Sequence, residues 1–153
     1  MTAADPQPLI PALATLYRPL QGLALPLVRI TAGLLLVPHG AQKLFGAFGG
    51  GGLANTAASF AKMGFEPALP VVLLIGVTEF FGGLLLALGL FTRPAAVAIA
   101  IFLAVAVSFH WPNGLFWSRG GFEYPLLWAL VATAFAILGG GRYSLDARIG
   151  REF

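Results

Sequence analysis

The sequence has no cysteine and very little charge. Only 10% of its 153 residues are Asp, Glu, Lys or Arg, whereas soluble domains carry about 25%. Too few charged side chains are present to cover a water-facing surface, so we expect lipid to cover much of the chain. The absence of cysteine excludes disulfide bonds, thiolate metal sites and thiol–disulfide relays within this chain.

Hydrophobic residues make up 58% of the sequence and are concentrated in four long segments. A membrane-spanning helix needs about 20 mostly apolar residues, because hydrocarbon satisfies no backbone hydrogen bond. The four segments meet or approach this length, and glycine or proline residues separate them. We therefore predict an all-α fold, an integral membrane bundle of four transmembrane helices that forms one domain over residues 1–153. The predicted helices cover residues 23–44, 68–90, 94–109 and 122–138.

The segments outside these helices are predicted to be short. Residues 1–19 contain four prolines and no basic residue before Arg18, which is typical of an irregular tail and not of a cleaved secretory signal. Residues 55–63 are expected to form a short interfacial helix between the first two spans.

The basic excess of the chain is interpreted as a signal of membrane topology. The formal net charge is +3, but the basic residues fall mostly in tails and loops, so we expect no nucleic-acid partner. One predicted side of the membrane holds five arginines: Arg18, Arg93, Arg142, Arg148 and Arg151. The opposite loops hold Lys43, Lys62 and Arg119. The positive-inside rule then predicts that both termini lie in the cytoplasm.

Glu79 lies near the middle of the second predicted span. A charged group there costs about 2.5–3.5 kcal/mol on insertion scales, so such residues are usually paired and functional. The expected partners are Arg29, which would neutralise the carboxylate, or His39, which would form a titratable pair. The alternatives are a purely structural carboxyl group and, for Arg29, a side chain that reaches the headgroups. Three glycines are predicted to share the face of Glu79: Gly76, Gly82 and Gly83.

A second polar group is predicted at one end of the bundle. His39 and Lys43 are four residues apart on the first helix, and His110, Glu123 and Tyr124 fall near the same boundary. These residues could line a small polar pocket with an apolar rim, above the intramembrane glutamate. The alternative is an interfacial belt of the kind that every membrane protein has.

From these positions we assign candidate roles. Glu79 and His39 are the candidate catalytic, proton-transferring residues. The candidate ligand-binding residues are Arg29, Lys43, His110, Glu123 and Tyr124. No metal site is predicted, because the two histidines lie on different helices without a short ligand spacing. The chain also offers no pattern that indicates haem, so we expect no intrinsic cofactor.

Six short stretches carry a family resemblance. In order they are RITAG (29–33), HGAQKLFG (39–46), EFFGG (79–83), LGLFTR (88–93), GFEYP (121–125) and GGGRYSLD (139–146). Together they resemble the landmarks of the DoxX family. The resemblance implies a four-helix protein of the bacterial inner membrane. It also implies a link to quinol oxidase, to thiosulfate:quinone oxidoreductase, to redox homeostasis or to the maturation of periplasmic enzymes.

The resemblance favours a subunit of, or an accessory to, a quinone-linked redox system. Because the chain has no thiol, such a role would need a bound quinone or a partner redox subunit. Two alternatives remain open: a non-catalytic scaffold or assembly factor, and a small proton-coupled permease. Enzymatic activity of the chain itself is left undecided, and homo-oligomers are compatible with every reading.

Overall fold

A computed structural model describes residues 8–153, which form eight α-helices and no strand. The chain begins with α1 (Pro11–Tyr17), a 3-10 turn (Arg18–Leu20) and the long helix α2 (Gln21–Phe45). The prediction of an irregular tail is therefore wrong for residues 11–19. The prolines there occupy the first turns of helical elements, where a missing N–H costs nothing. The part of that prediction that concerns residues 1–7 lies outside the described residues.

The second long segment is a continuous helix with a π turn at its centre. It consists of α4 (Ala68–Val77), the π turn (Thr78–Gly82) and α5 (Gly83–Leu88). The helix α3 (Gly52–Lys62) precedes it and confirms the predicted short helix, although it begins three residues earlier. α3 packs on the first turns of α4 through a small apolar cluster of Ala57, Ala68 and Val72.

The remaining helices are α6 (Thr92–His110), α7 (Glu123–Leu138) and α8 (Leu145–Ile149). By length and composition, three helical segments of the described chain can cross a membrane: Pro11–Phe45, Ala68–Leu88 and Thr92–Asn113. α7 is apolar but has 16 residues, about 24 Å of helix against about 30 Å of hydrocarbon. The predicted all-α membrane bundle is confirmed, and its fourth helix is a short one.

Alanines and larger apolar side chains together form the centre of the bundle. The core cluster joins α2, α5, α6 and α7, and it consists of Ala32, Leu36, Leu86, Ala96, Ile99, Leu103, Ala129, Ala132 and Phe135. Alanine is common in it because helices in lipid associate through close packing, since burial of apolar surface gains little when the solvent is itself apolar.

Glycines bring α2 into direct backbone contact with the second segment. A Cβ atom on Gly33 would collide with the Gly83 carbonyl, and one on Gly40 would collide with the Phe80 backbone nitrogen. A Cβ atom on Gly76 would lie 2.7 Å from the side chain of Leu44. These contacts set the vertical register of the two segments, with the last turns of α2 beside the π turn.

Gly82 packs in another direction. Its hypothetical Cβ atom would lie 3.5 Å from Ile99 on α6, whereas Gly76 and Gly83 face α2. The prediction that Gly76, Gly82 and Gly83 lie on one face of the helix is therefore wrong. The π turn adds a residue to one turn of helix and rotates the residues that follow it.

Candidate functional site

Glu79 forms an ion pair with Lys43. The Lys43 Nζ atom lies 2.9 Å from Oε1 and 2.8 Å from Oε2 of the carboxylate. Glu79 is 4% exposed and lies in the π turn, whereas the Lys43 side chain is 21% exposed. Since π turns inside helices are frequent at functional sites, the pair is the first candidate site.

The predicted partners of Glu79, Arg29 and His39, are wrong. The prediction placed Glu79 halfway along α2, but the first turns of α4 extend past the end of α2 and pack on α3. Glu79 consequently lies level with the last turns of α2, where Lys43 is. Arg29 precedes Lys43 by fourteen residues, about 21 Å along the helix axis.

Both oxygens of the buried carboxylate lie within hydrogen-bonding distance of Lys43. The Nζ atom is 2.9 Å from Oε1 and 2.8 Å from Oε2. Oε2 is closed to solvent, so within residues 8–153 the ammonium group is what compensates its charge.

His39 does not join this pair. It is exposed on α2, and its ring makes no hydrogen bond or ion pair within the described part of the chain. Its backbone carbonyl is 3.5 Å from the Lys43 Nζ atom. A catalytic role for His39 stays a prediction.

His110, Glu123 and Tyr124 are brought together, and their contacts organise the loop between α6 and α7. His110 Nδ1 lies 2.7 Å from the Gly120 carbonyl oxygen, and Glu123 Oε1 accepts a 2.7 Å hydrogen bond from the Trp117 backbone N–H. The Trp117 and Tyr124 rings meet edge to face, with centroids 5.2 Å apart. The contacts that these three residues make are thus with their own loop, and a ligand-binding role for them stays a prediction.

Two surface cavities lie away from these residues. One, of about 390 Å³, is lined by residues of the C-terminal segment that include Leu138, Ser144, Asp146 and Arg151. The other, of about 240 Å³, is an apolar groove between α2 and α7. Neither is lined by a predicted site residue. Among residues 8–153, no three His, Asp or Glu side chains are grouped as metal ligands would be.

Arg29 lies at the opposite end of the bundle from the ion pair. It is 1% exposed, so its side chain does not reach the headgroups. Its guanidinium donates to the Tyr143 carbonyl oxygen at 2.9 Å and to the Leu86 carbonyl oxygen, near the end of α5, at 3.4 Å. Its Nε atom is buried and has no partner among the described residues.

Asp146 has a buried carboxylate and was not among the site residues predicted from the sequence. Its carboxylate accepts hydrogen bonds from the Phe91 N–H at 2.8 Å, the Thr92 N–H at 2.9 Å and the Thr92 hydroxyl at 2.7 Å. It thereby caps the first turn of α6 from a distant part of the chain. Phe91 has a left-handed backbone, with φ of 48°, so the cap also holds a turn that a non-glycine residue rarely adopts.

Arg93 caps the end of α7 in the same manner. Its Nη1 atom donates to the Ala136 carbonyl at 2.9 Å and the Ile137 carbonyl at 2.6 Å, and its Nη2 atom lies 3.3 Å from Glu152. The signal in the sequence for these caps was that Arg93 and Asp146 each end a family-like stretch.

Comparison with known proteins identifies the family of the chain. A family model for DoxX matches residues 24–111, more than half of the chain. This chain belongs to the DoxX family. The matched DoxX region runs from α2 through α6 and contains the ion pair, Arg29 and Arg93.

A relative of this DoxX protein comes from Haemophilus influenzae and is described as an uncharacterized protein. It is 36% identical over 87 residues, which cover 54% of this chain and 65% of the relative. The match therefore spans less than two thirds of the relative's length. No solved structure matches the chain.

Breaking the buried pair should destabilise the protein. We expect Lys43→Met to lower the free energy of unfolding by about 3–5 kcal/mol, because it leaves a buried carboxylate without its cation. The double variant Lys43→Met/Glu79→Gln should recover most of that loss. The measurement is a denaturant titration in detergent, with the exposed Glu66→Gln as the control. A direct pairing would be contradicted if the free energy of unfolding lost in the double variant equalled the sum of the losses in Lys43→Met and Glu79→Gln.

Removing the Asp146 cap should also be costly. We expect Asp146→Ala to destabilise the protein by about 2–4 kcal/mol, since three donors lose a charged acceptor. Glu152→Gln is the matched control, because its pair with Arg93 is half exposed and such pairs contribute about 0–1 kcal/mol. Thermal unfolding in detergent gives the midpoint temperature of each variant. Equal midpoints for Asp146→Ala and Glu152→Gln would show that the cap is dispensable.

Proposed function

We propose that this DoxX protein is a non-catalytic accessory subunit of a membrane complex. The observation that supports the proposal is that its buried charged groups each join segments that are distant in the sequence. Glu79 binds Lys43, Arg29 binds backbone carbonyls, and Asp146 caps α6. Groups engaged in this way hold helices together, which is what a scaffold or an assembly factor requires of them. The family resemblance favours a redox system as the complex.

A second candidate function, binding of a quinone headgroup, is favoured by the Lys43–Glu79 pair. The partly exposed Lys43 ammonium group could donate a hydrogen bond to a quinone carbonyl, and the carboxylate beside it could exchange a proton. The chemistry of these two groups therefore fits such a headgroup. A quinone would supply the electron-transfer chemistry, and this chain would hold the headgroup and exchange a proton at the carboxylate.

Native mass spectrometry with lipid analysis separates the two functions. The protein is extracted gently from its own membrane as wild type, Glu79→Gln, the neutral pair Lys43→Met/Glu79→Gln and the exposed control Glu66→Gln. We expect a protein partner in stoichiometric amount with the wild type and with every variant that folds, and no quinone.

A quinone that copurifies with the wild type and with Glu66→Gln, and is lost from the folded neutral pair, would overturn the accessory role and establish the second candidate. Wild-type protein that elutes without any stoichiometric partner and without quinone would contradict both functions.

We also propose that the protein lies in a bacterial inner membrane with both termini in the cytoplasm. The arginines that support this orientation lie at one end of the bundle. Arg93, in the turn before α6, is 3.3 Å from Glu152 of the C-terminal tail, and Arg142 lies against Gly22 near the start of α2. This clustering is typical of a cytoplasmic face.

The cysteine-free chain makes the orientation simple to test. A Ser118→Cys variant, in the exposed loop between α6 and α7, should react with a membrane-impermeant maleimide in intact cells. An Arg148→Cys variant should react only after the cells are permeabilised. The reverse pattern would show that the termini lie outside.

A further inference from the structure

An apolar groove follows the seam between α2 and α7. It has a volume of about 240 Å³, and its walls are entirely apolar. The lining residues are Ala24, Leu25, Val28, Val131, Ala134, Phe135 and Leu138. A shallow apolar groove that is open along its side suits part of a flexible hydrocarbon chain.

One end of the groove leads to an arginine. A Cβ atom on Gly141 would lie 3.9 Å from the side chain of Leu25, which lines the groove. The Nη1 atom of the next residue, Arg142, would lie 3.7 Å from a Cβ atom on Gly22. Gly22 precedes Leu25 by three residues, about one turn of α2. The guanidinium group therefore lies beside α2 within about one helical turn of residues that line the groove.

Arg142 is held in place but keeps most of its donors. Its guanidinium carbon lies 4.5 Å from the centre of the Tyr143 ring, and its Nη2 atom donates to the Tyr143 hydroxyl at 2.7 Å. An arginine has five N–H donors, and within residues 8–153 Arg142 makes no other side-chain hydrogen bond and no ion pair. This arrangement presents a positively charged fork to whatever approaches the end of the groove.

The nearby acidic groups do not neutralise this end. Asp146 is 3% exposed and binds the first turn of α6, and Glu152 is paired with Arg93. Arg148 and Arg151 are exposed in the same C-terminal segment. Arg142 therefore supplies the positive charge at this end of the groove, which complements an anion.

We propose that the groove and Arg142 form a binding site for one anionic phospholipid. An acyl chain would lie between α2 and α7, and the phosphate would accept hydrogen bonds from the Arg142 guanidinium, which suits bidentate contact with phosphate oxygens. Basic residues beside transmembrane helices recognise anionic headgroups by the same chemistry.

Native mass spectrometry of the purified protein, titrated with phosphatidylglycerol and phosphatidylethanolamine, tests the site. We expect the wild type to retain one phosphatidylglycerol and Arg142→Gln to bind it about tenfold more weakly, the loss of one charged hydrogen bond. Ala134→Leu, which fills the groove, should also weaken the binding of phosphatidylglycerol. Matched controls are Arg119→Gln, an exposed arginine of another loop, and Ala98→Leu, an exposed alanine of α6; both should bind as the wild type does.

Several outcomes would overturn the site. Equal retention of the two lipids would show that no anion is recognised, and an equal loss in Arg119→Gln would show attraction by charge alone. Unchanged binding in Ala134→Leu, or displacement of the lipid by inorganic phosphate, would show that the groove takes no part. Circular dichroism and elution volume establish that each variant is folded before its binding is compared.

Discussion

Helix ends that lie near hydrocarbon carry backbone groups that lipid cannot satisfy. At one end of this protein, two charged side chains meet that demand: Asp146 at α6 and Arg93 at α7. Each comes from an element other than the one that it caps. The order of the helices at this end, and the path of the C-terminal segment across it, depend on contacts between charges and backbone.

The other end depends on a contact between two charges. Glycines let α2 approach the second segment closely enough for Lys43 to reach Glu79, and the π turn lies at that level. Buried ion pairs are weak sources of stability, and they fix one arrangement among several in the best-attested cases. The accessory function proposed here needs the same property, since a subunit that positions partners must itself have one register.

Much of the fold could be predicted because lipid imposes a simple rule on composition. Runs of about 20 apolar residues located the long helices to within a few residues. The same rule marked Glu79 as buried, since an ionisable group in such a run must face other protein. It could not identify the partner, because spacing along one helix does not reveal where a neighbouring helix ends.

The sequence by itself determined that the chain is helical, that it enters a membrane and that Glu79 is buried, because these properties depend on local apolar runs. Only the tertiary structure decided that Lys43 is the partner, that Arg29 binds carbonyls and that Asp146 caps α6. Such pairs join residues 36 to 114 positions apart. Their distances follow from the register of packed helices, which close contacts between glycines and backbone set, and no local pattern encodes that register.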